Sequence, residues 1–85
     1  MFDVLTIKEV QISMGKWCQS LRKTEGLTQA ELAKKLAVSR LTISQLERGK
    51  NFTITTFLKV LLYFDEIQMF QEFIKQHLDR PASLY

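Results

Sequence analysis

The residues best suited to chemistry in this 85-residue chain lie between positions 39 and 45. They combine one arginine, one glutamine and small hydroxyl residues with apolar residues at helical spacing. An arginine can pair with O6 and N7 of guanine, and a glutamine amide with N6 and N7 of adenine. Arg40 and Gln45 could therefore read base edges, provided that a helix presents them on one open side.

The spacing predicts such a helix over about residues 39–48. Ser39 is a suitable N-cap, and Gly49 is suited to the position after the last turn. Ile43 and Leu46 recur at helical spacing and can face the interior. The outward side then consists of short polar, basic and apolar residues: Arg40, Leu41, Ser44 and Gln45.

A second short helix is predicted just before it, over about residues 28–36. Thr28 and Glu31 form a capping-box pattern at its start, and Ala37 with Val38 breaks the pattern at its end. Two helices joined by such a turn form a helix-turn-helix unit. The N-terminus of the first helix, where Gln29 lies, can offer backbone N–H groups to a phosphate.

Three further helices follow from capping signals and apolar periodicity. Thr6 and Glu9 form another capping-box pattern, and the helix that they begin should stop before Gly26. Thr53 is predicted to cap a fourth helix, and Asp65 a fifth. The chain is therefore predicted to be an all-α bundle of five helices.

The predicted division is one domain over residues 1–78 and an irregular tail over residues 79–85. Residues 2–7 could form either a short strand or the start of the first helix, and this alternative stays open. The two C-terminal helices have more large apolar residues than a small bundle needs, which predicts a homodimer. These residues are Phe57, Leu58, Leu61, Leu62, Tyr63, Phe64, Phe70, Phe73 and Leu78.

The charge distribution favours a polyanion partner. The net charge is +3, but residues 16–50 contain eight basic and three acidic residues, and each flanking part has a charge of −1. A localised basic surface is typical of nucleic-acid partners, although a solvated surface remains the alternative. No apolar run approaches the roughly 20 residues of a membrane span. Cys18 is the only cysteine, which favours the cytoplasm.

Enzymatic activity is not predicted. The sequence has no Ser–His–acid set, no HxxxH or CxxC metal spacing and no glycine-rich phosphate loop. The prediction therefore includes no catalytic residue, no metal and no cofactor.

The stretch "LTQAELAKKLAVSRLTISQLERGK" resembles the DNA-binding core of Cro/C1-type (XRE-type) helix-turn-helix proteins. The resemblance implies a lambda-repressor-like bundle that binds double-stranded operator DNA. It places Ser39, Arg40, Leu41 and Gln45 at the groove, and Ser44 is predicted to support them. It places Gln29, Arg48, Lys50 and Asn51 at the DNA backbone, to which we add Thr28. It also implies a structural ion pair between Arg22 and Glu47.

A second resemblance concerns the segment "NFTITTFLKVLLYF", which is similar to HipB-type antitoxins. It implies a homodimeric autorepressor that also binds a HipA-type kinase toxin, located at the nucleoid in a bacterial cytoplasm. Restriction–modification controllers and phage-type repressors are alternative members of the same class. A protein-interaction module without DNA binding is the alternative from a different class.

Overall fold

The structure, a computed structural model, describes residues 4–79 as a bundle of five helices. The helices are α1 (Ile7–Thr24), α2 (Gln29–Leu36), α3 (Arg40–Glu47), α4 (Ile54–Tyr63) and α5 (Ile67–Leu78). The described residues include no strand, and the predicted all-α class with five helices is confirmed. Residues 4–6 have no regular structure, whereas residues 2 and 3 lie outside the described range, as do residues 80–85 of the predicted tail.

The predicted capping residues begin four of the five helices. Thr6 and Thr28 each form a complete capping box, and Ser39 and Thr53 each accept a backbone N–H bond in the first turn. In α2 the Glu31 amide donates to Thr28 Oγ1 at 3.0 Å, and the Thr28 amide donates to Glu31 Oε1 at 2.8 Å. This bond from the Thr28 amide lowers the pKa of the Glu31 carboxyl.

The prediction that Asp65 caps α5 is wrong. Asp65 has a φ of 59°, in the left-handed region, and α5 begins after Glu66 without any side-chain cap. The reason is that Asp65 belongs to the end of α4. The Asp65 amide donates to the Leu62 carbonyl at 3.2 Å and the Glu66 amide to the Leu61 carbonyl at 2.8 Å, which is the Schellman pattern.

The same pattern ends α2 and sets the turn between α2 and α3. The amide of Ala37 donates to the Lys34 carbonyl at 3.2 Å, and the amide of Val38 donates to the Ala33 carbonyl at 3.0 Å. Ala37 has φ 56° and ψ 43°, so it occupies a left-handed position where glycine is usual. The turn is therefore formed with a residue that is disfavoured in this conformation.

Ala37→Gly is expected to raise the free energy of unfolding by about 0.5–1 kcal/mol. The left-handed conformation costs a non-glycine residue about 1–2 kcal/mol, and glycine removes this cost. Glycine also makes the unfolded chain more flexible, which offsets about 0.4–1 kcal/mol of the gain. Urea denaturation of both proteins measures the difference. Ala30→Gly, at an exposed position in the first turn of α2, is the control and should lower stability by up to about 1 kcal/mol. A loss of stability at position 37 would contradict the argument.

The core consists of two adjoining clusters around α3. One joins α1, α3 and α4, and its buried members are Cys18, Leu46, Phe57, Val60 and Leu61. The other joins α2 and α3, and its buried members are Leu32, Ala33 and Ile43. Because α3 contributes Leu46 to one cluster and Ile43 to the other, its position is determined by contacts with both.

Cys18 is a packing residue of this core. Its side chain is fully buried, and the burial raises the pKa of its thiol to about 12. The thiol therefore stays protonated at neutral pH and packs as a small apolar group.

Helix α5 is attached to the bundle along only part of its apolar side. Ile67 and Phe70 pack on the core, with the ring of Phe70 edge-on to Phe57 at a centroid distance of 6.0 Å. Met69, Phe73 and Leu78 are 54%, 57% and 74% exposed, and no residue of α5 is buried. Met69 and Phe73 lie about one turn apart on the same side of α5, so this helix presents an exposed apolar surface that the described part of this chain does not cover.

Candidate nucleic-acid interface

Helix α3 has one buried side and one open side. Ile43 and Leu46 are fully buried. Successive helical residues are rotated by about 100°, so Leu41 and Ser44 lie on the opposite side. Arg40 and Leu41 are exposed, the latter to 60%, and Ser44 and Gln45 are half-buried. The structure thus brings Arg40, Leu41, Ser44 and Gln45 together on one open surface.

The open surface of α3 is basic. Arg40 is exposed in its first turn, and Arg48 and Lys50 are exposed just after its end. The only acidic residue of α3, Glu47, is buried. A polyanion that approaches this surface therefore meets cations and no carboxylate of α3.

Two of the predicted contact residues use their hydroxyl groups to cap helices. Ser39 Oγ accepts the Thr42 amide at 3.0 Å and lies 2.8 Å from the Thr42 hydroxyl. Thr28 Oγ1 accepts the Glu31 amide at the start of α2. Both residues are exposed, so each lies at the surface while its side chain caps a helix.

The segment after α3 turns sharply, and its polar residues lie at the surface. Gly49 has a φ of 72°, and the Lys50 amide donates to the Gln45 carbonyl at 2.8 Å. Asn51 also has a positive φ, 46°, and is exposed. Arg48, Lys50 and Asn51 therefore follow directly from the C-terminal end of α3 and are exposed.

A buried ion pair joins α1 to α3. Arg22 Nε donates to Glu47 Oε2 at 2.6 Å, and Arg22 Nη2 donates to Glu47 Oε1 at 2.9 Å. The side chains are 9% and 2% exposed. The hydrogen bond to Glu47 raises the pKa of the Arg22 guanidinium. Arg22 Nη1 also donates to the Leu27 carbonyl at 2.7 Å. This bond holds the loop between α1 and α2 against the Arg22–Glu47 ion pair.

Gln29 has a partner that the sequence did not indicate. Its Nε2 donates to Glu47 Oε1 at 3.0 Å, and the side chain is half-buried. The two residues are 18 positions apart and lie on different helices. Local sequence patterns act over three or four residues, so no capping or periodicity rule could have predicted this bond.

Residues 4–79 include neither a candidate metal site nor a candidate membrane span. No group of three or more His, Cys, Asp and Glu side chains in this part of the chain could hold a metal ion. None of its helices combines the length and the apolar composition that a bilayer crossing needs.

The geometry defines a helix-turn-helix protein whose second helix has an open, basic and polar surface. Residues 19–68 match the family described as Helix-turn-helix, of the Cro/C1 type, over more than half of the chain. The chain belongs to this family of DNA-binding regulators, and the predicted resemblance is confirmed.

One similar protein is the antitoxin HipB of Escherichia coli (strain K12). It is 48% identical to this chain over 42 residues, which cover 48% of this chain and 48% of HipB. The match therefore spans about half the length of that relative. The family match points to a DNA-binding regulator.

Proposed function

We propose that this protein is a sequence-specific repressor that reads operator DNA with α3 in the major groove. The observation that supports this most directly is the open surface of α3, with Arg40, Leu41 and Gln45 opposite a fully buried side. Arg40 pairs with guanine, Gln45 with adenine, and Leu41 contacts a thymine methyl group. Ser39 and Ser44 border these three residues and complete the contact with the groove.

The DNA backbone is bound from both sides of the reading helix. Thr28 and Gln29 lie at the N-terminus of α2, where free N–H groups and the helix dipole favour a phosphate. Arg48, Lys50 and Asn51 follow the end of α3 and bind phosphates there. Phosphate contacts on both sides fix the register of α3 in the groove.

The functional unit is a homodimer that associates through α5. Met69 and Phe73 lie about one turn apart on this helix and are exposed, and a second copy would cover them. A symmetric dimer presents two copies of α3 to two half-sites about 34 Å apart, or one turn of DNA. The operator is therefore an inverted repeat.

We further propose that the protein is an autorepressor and the antitoxin of a toxin–antitoxin pair. The support is the 48% identity with the antitoxin HipB, together with the HipB-like segment that begins at Asn51. The partner in this proposal is a HipA-type kinase toxin.

A selection of bound sequences from a random duplex library tests the proposal. At about 0.15 M salt, binding that depends on phosphates alone is weakened. Recovery of an inverted repeat supports base reading by a dimer, and its spacing gives the distance between the two reading helices. Recovery of single half-sites would exclude the dimer. Recovery of no sequence above background would exclude base reading and favour a protein-interaction module.

Arg40→Ala and Lys50→Ala are expected to affect DNA binding in different ways. Loss of a base-reading arginine should remove about 1–3 kcal/mol of discrimination at one operator position. Loss of a phosphate-binding lysine should weaken binding to all sequences alike. It should also reduce the slope of log K against log salt concentration by about one. Binding titrations on the operator and its single-base variants, at several salt concentrations, measure both quantities. The same response in both variants would contradict the assigned contacts.

A further inference from the structure

The carboxylate of Glu47 is the meeting point of three helices. Its side chain is 2% exposed and accepts two bonds from Arg22 of α1. Its Oε1 also accepts the amide of Gln29, at the start of α2, at 3.0 Å. Glu47 itself is the last residue of α3. Glu47 of α3, the helix proposed to read the DNA bases, therefore holds the side chain of Gln29 at the proposed phosphate site.

We propose that Glu47 is a positioning residue for DNA recognition, which holds the Gln29 amide so that its second N–H binds a DNA phosphate. The proposal rests on the proposed function, because it assumes that Gln29 lies at the DNA backbone. It adds a direct link between that backbone contact and α3. Neither Glu47 nor Arg22 needs to touch the DNA.

The chemistry of the two groups favours this arrangement. A carboxylate only accepts hydrogen bonds, whereas a glutamine amide nitrogen has two N–H donors. Glu47 therefore binds the nitrogen end of the Gln29 amide and leaves its second N–H available. Gln29 is half-buried rather than enclosed, so a phosphate oxygen can reach this N–H from outside.

The arrangement also lowers the entropic cost of binding. A free glutamine side chain loses rotamer freedom when it becomes ordered on a phosphate. Gln29 is already ordered by Glu47 before DNA arrives, and such preorganisation strengthens binding without a new contact. Glu47 lies two residues after Gln45 in the same helix. The hydrogen bond between Gln29 and Glu47 therefore fixes the position of the phosphate contact relative to the base-reading residues.

The proposal predicts that Gln29 contributes to DNA binding only when Glu47 holds it. Gln29→Ala should weaken binding to the selected operator about fivefold, as expected for one hydrogen bond. Arg22→Met/Glu47→Leu replaces the ion pair with apolar residues of similar size, a change that is often nearly neutral for stability. This double variant should show the same fivefold loss, and adding Gln29→Ala to it should cost less than twofold.

The test is a double-mutant cycle on DNA affinity, with the folded state of each variant checked by thermal denaturation. Gln19→Ala, at a half-buried glutamine of α1 outside the proposed contacts, is the matched control and should leave affinity unchanged. If Gln29→Ala costs fivefold in both backgrounds, Glu47 has a structural role only and the inference is wrong. If the wild-type protein does not prefer the operator over random duplex, the proposed function itself fails.

A second measurement keeps the inference testable if the double variant does not fold. The side-chain amide of Gln29 in the wild-type protein should have the NMR order parameter of a rigid group, above about 0.6, and that of Gln19 should be lower. Equal, low values for both glutamines would show that Glu47 does not hold Gln29, and would overturn the proposal.

Discussion

Replacement of Arg22 alone by methionine is expected to lower the free energy of unfolding by about 3–5 kcal/mol. The substitution leaves the Glu47 carboxylate, which is 2% exposed, without its cationic partner. An uncompensated buried charge costs about this much. A chain of this length has only roughly 4–13 kcal/mol of stability in total, so the substitution should remove between about a quarter and all of it.

The Arg22→Met/Glu47→Leu double variant is the control for this prediction. It removes both charges, and its stability should lie close to that of the wild-type protein. Chemical denaturation of the single and double variants, in the absence of DNA, measures both values. If the double variant loses as much stability as Arg22→Met, the effect comes from lost packing and from the Leu27 carbonyl rather than from the buried charge.

Gly15→Ala is expected to destabilise the protein by about 2–3 kcal/mol, although alanine is the better helix former by about 1 kcal/mol. Gly15 lies in the middle of α1, where that helix crosses the end of α3. A Cβ atom there would clash with the Leu46 carbonyl oxygen and would lie 2.8 Å from the Glu47 carbonyl oxygen. Backbone atoms cannot rotate away as a side chain can, so the two helices must separate.

Ser20→Ala, at an exposed position of α1, is the matched control. It raises helix propensity without any contact, so the free energy of unfolding should stay the same or rise slightly. Urea denaturation measures both variants. A gain in stability for Gly15→Ala would mean that the helices are not in direct backbone contact at this position. Because α3 is the helix proposed to read the DNA bases, the Gly15→Ala variant should also bind the operator more weakly.

The boundaries of most helices could be predicted from the sequence because capping is local. Thr28 and Glu31 are three residues apart, and the bonds between them depend on little else. Asp65 shows where this reasoning fails. An aspartate between two helices suits the start of the second, but the end of α4 placed it in a left-handed conformation. Which of two adjacent helix ends takes such a residue is decided by the packing of both helices.

The open surface of α3 could also be predicted in outline. Ile43 and Leu46 are apolar at helical spacing, and both are buried, so the position of Arg40 and Gln45 on the other side follows from periodicity. The contacts of these residues with DNA remain predictions. The resemblance to Cro/C1-type proteins, rather than spacing, indicated the ion pair of Arg22 with Glu47, because 25 residues separate them.

By itself, the sequence determined the five helices, the helix-turn-helix unit and the basic character of its surface. Each of these depends on residues within a few positions of each other. Only the tertiary structure decided that Gln29 is bound by Glu47, that Gly15 lies against the backbone of α3, and that Phe73 stays exposed. These features depend on how the helices pack, and packing brings together residues whose separation along the chain has no fixed relation to their distance in space.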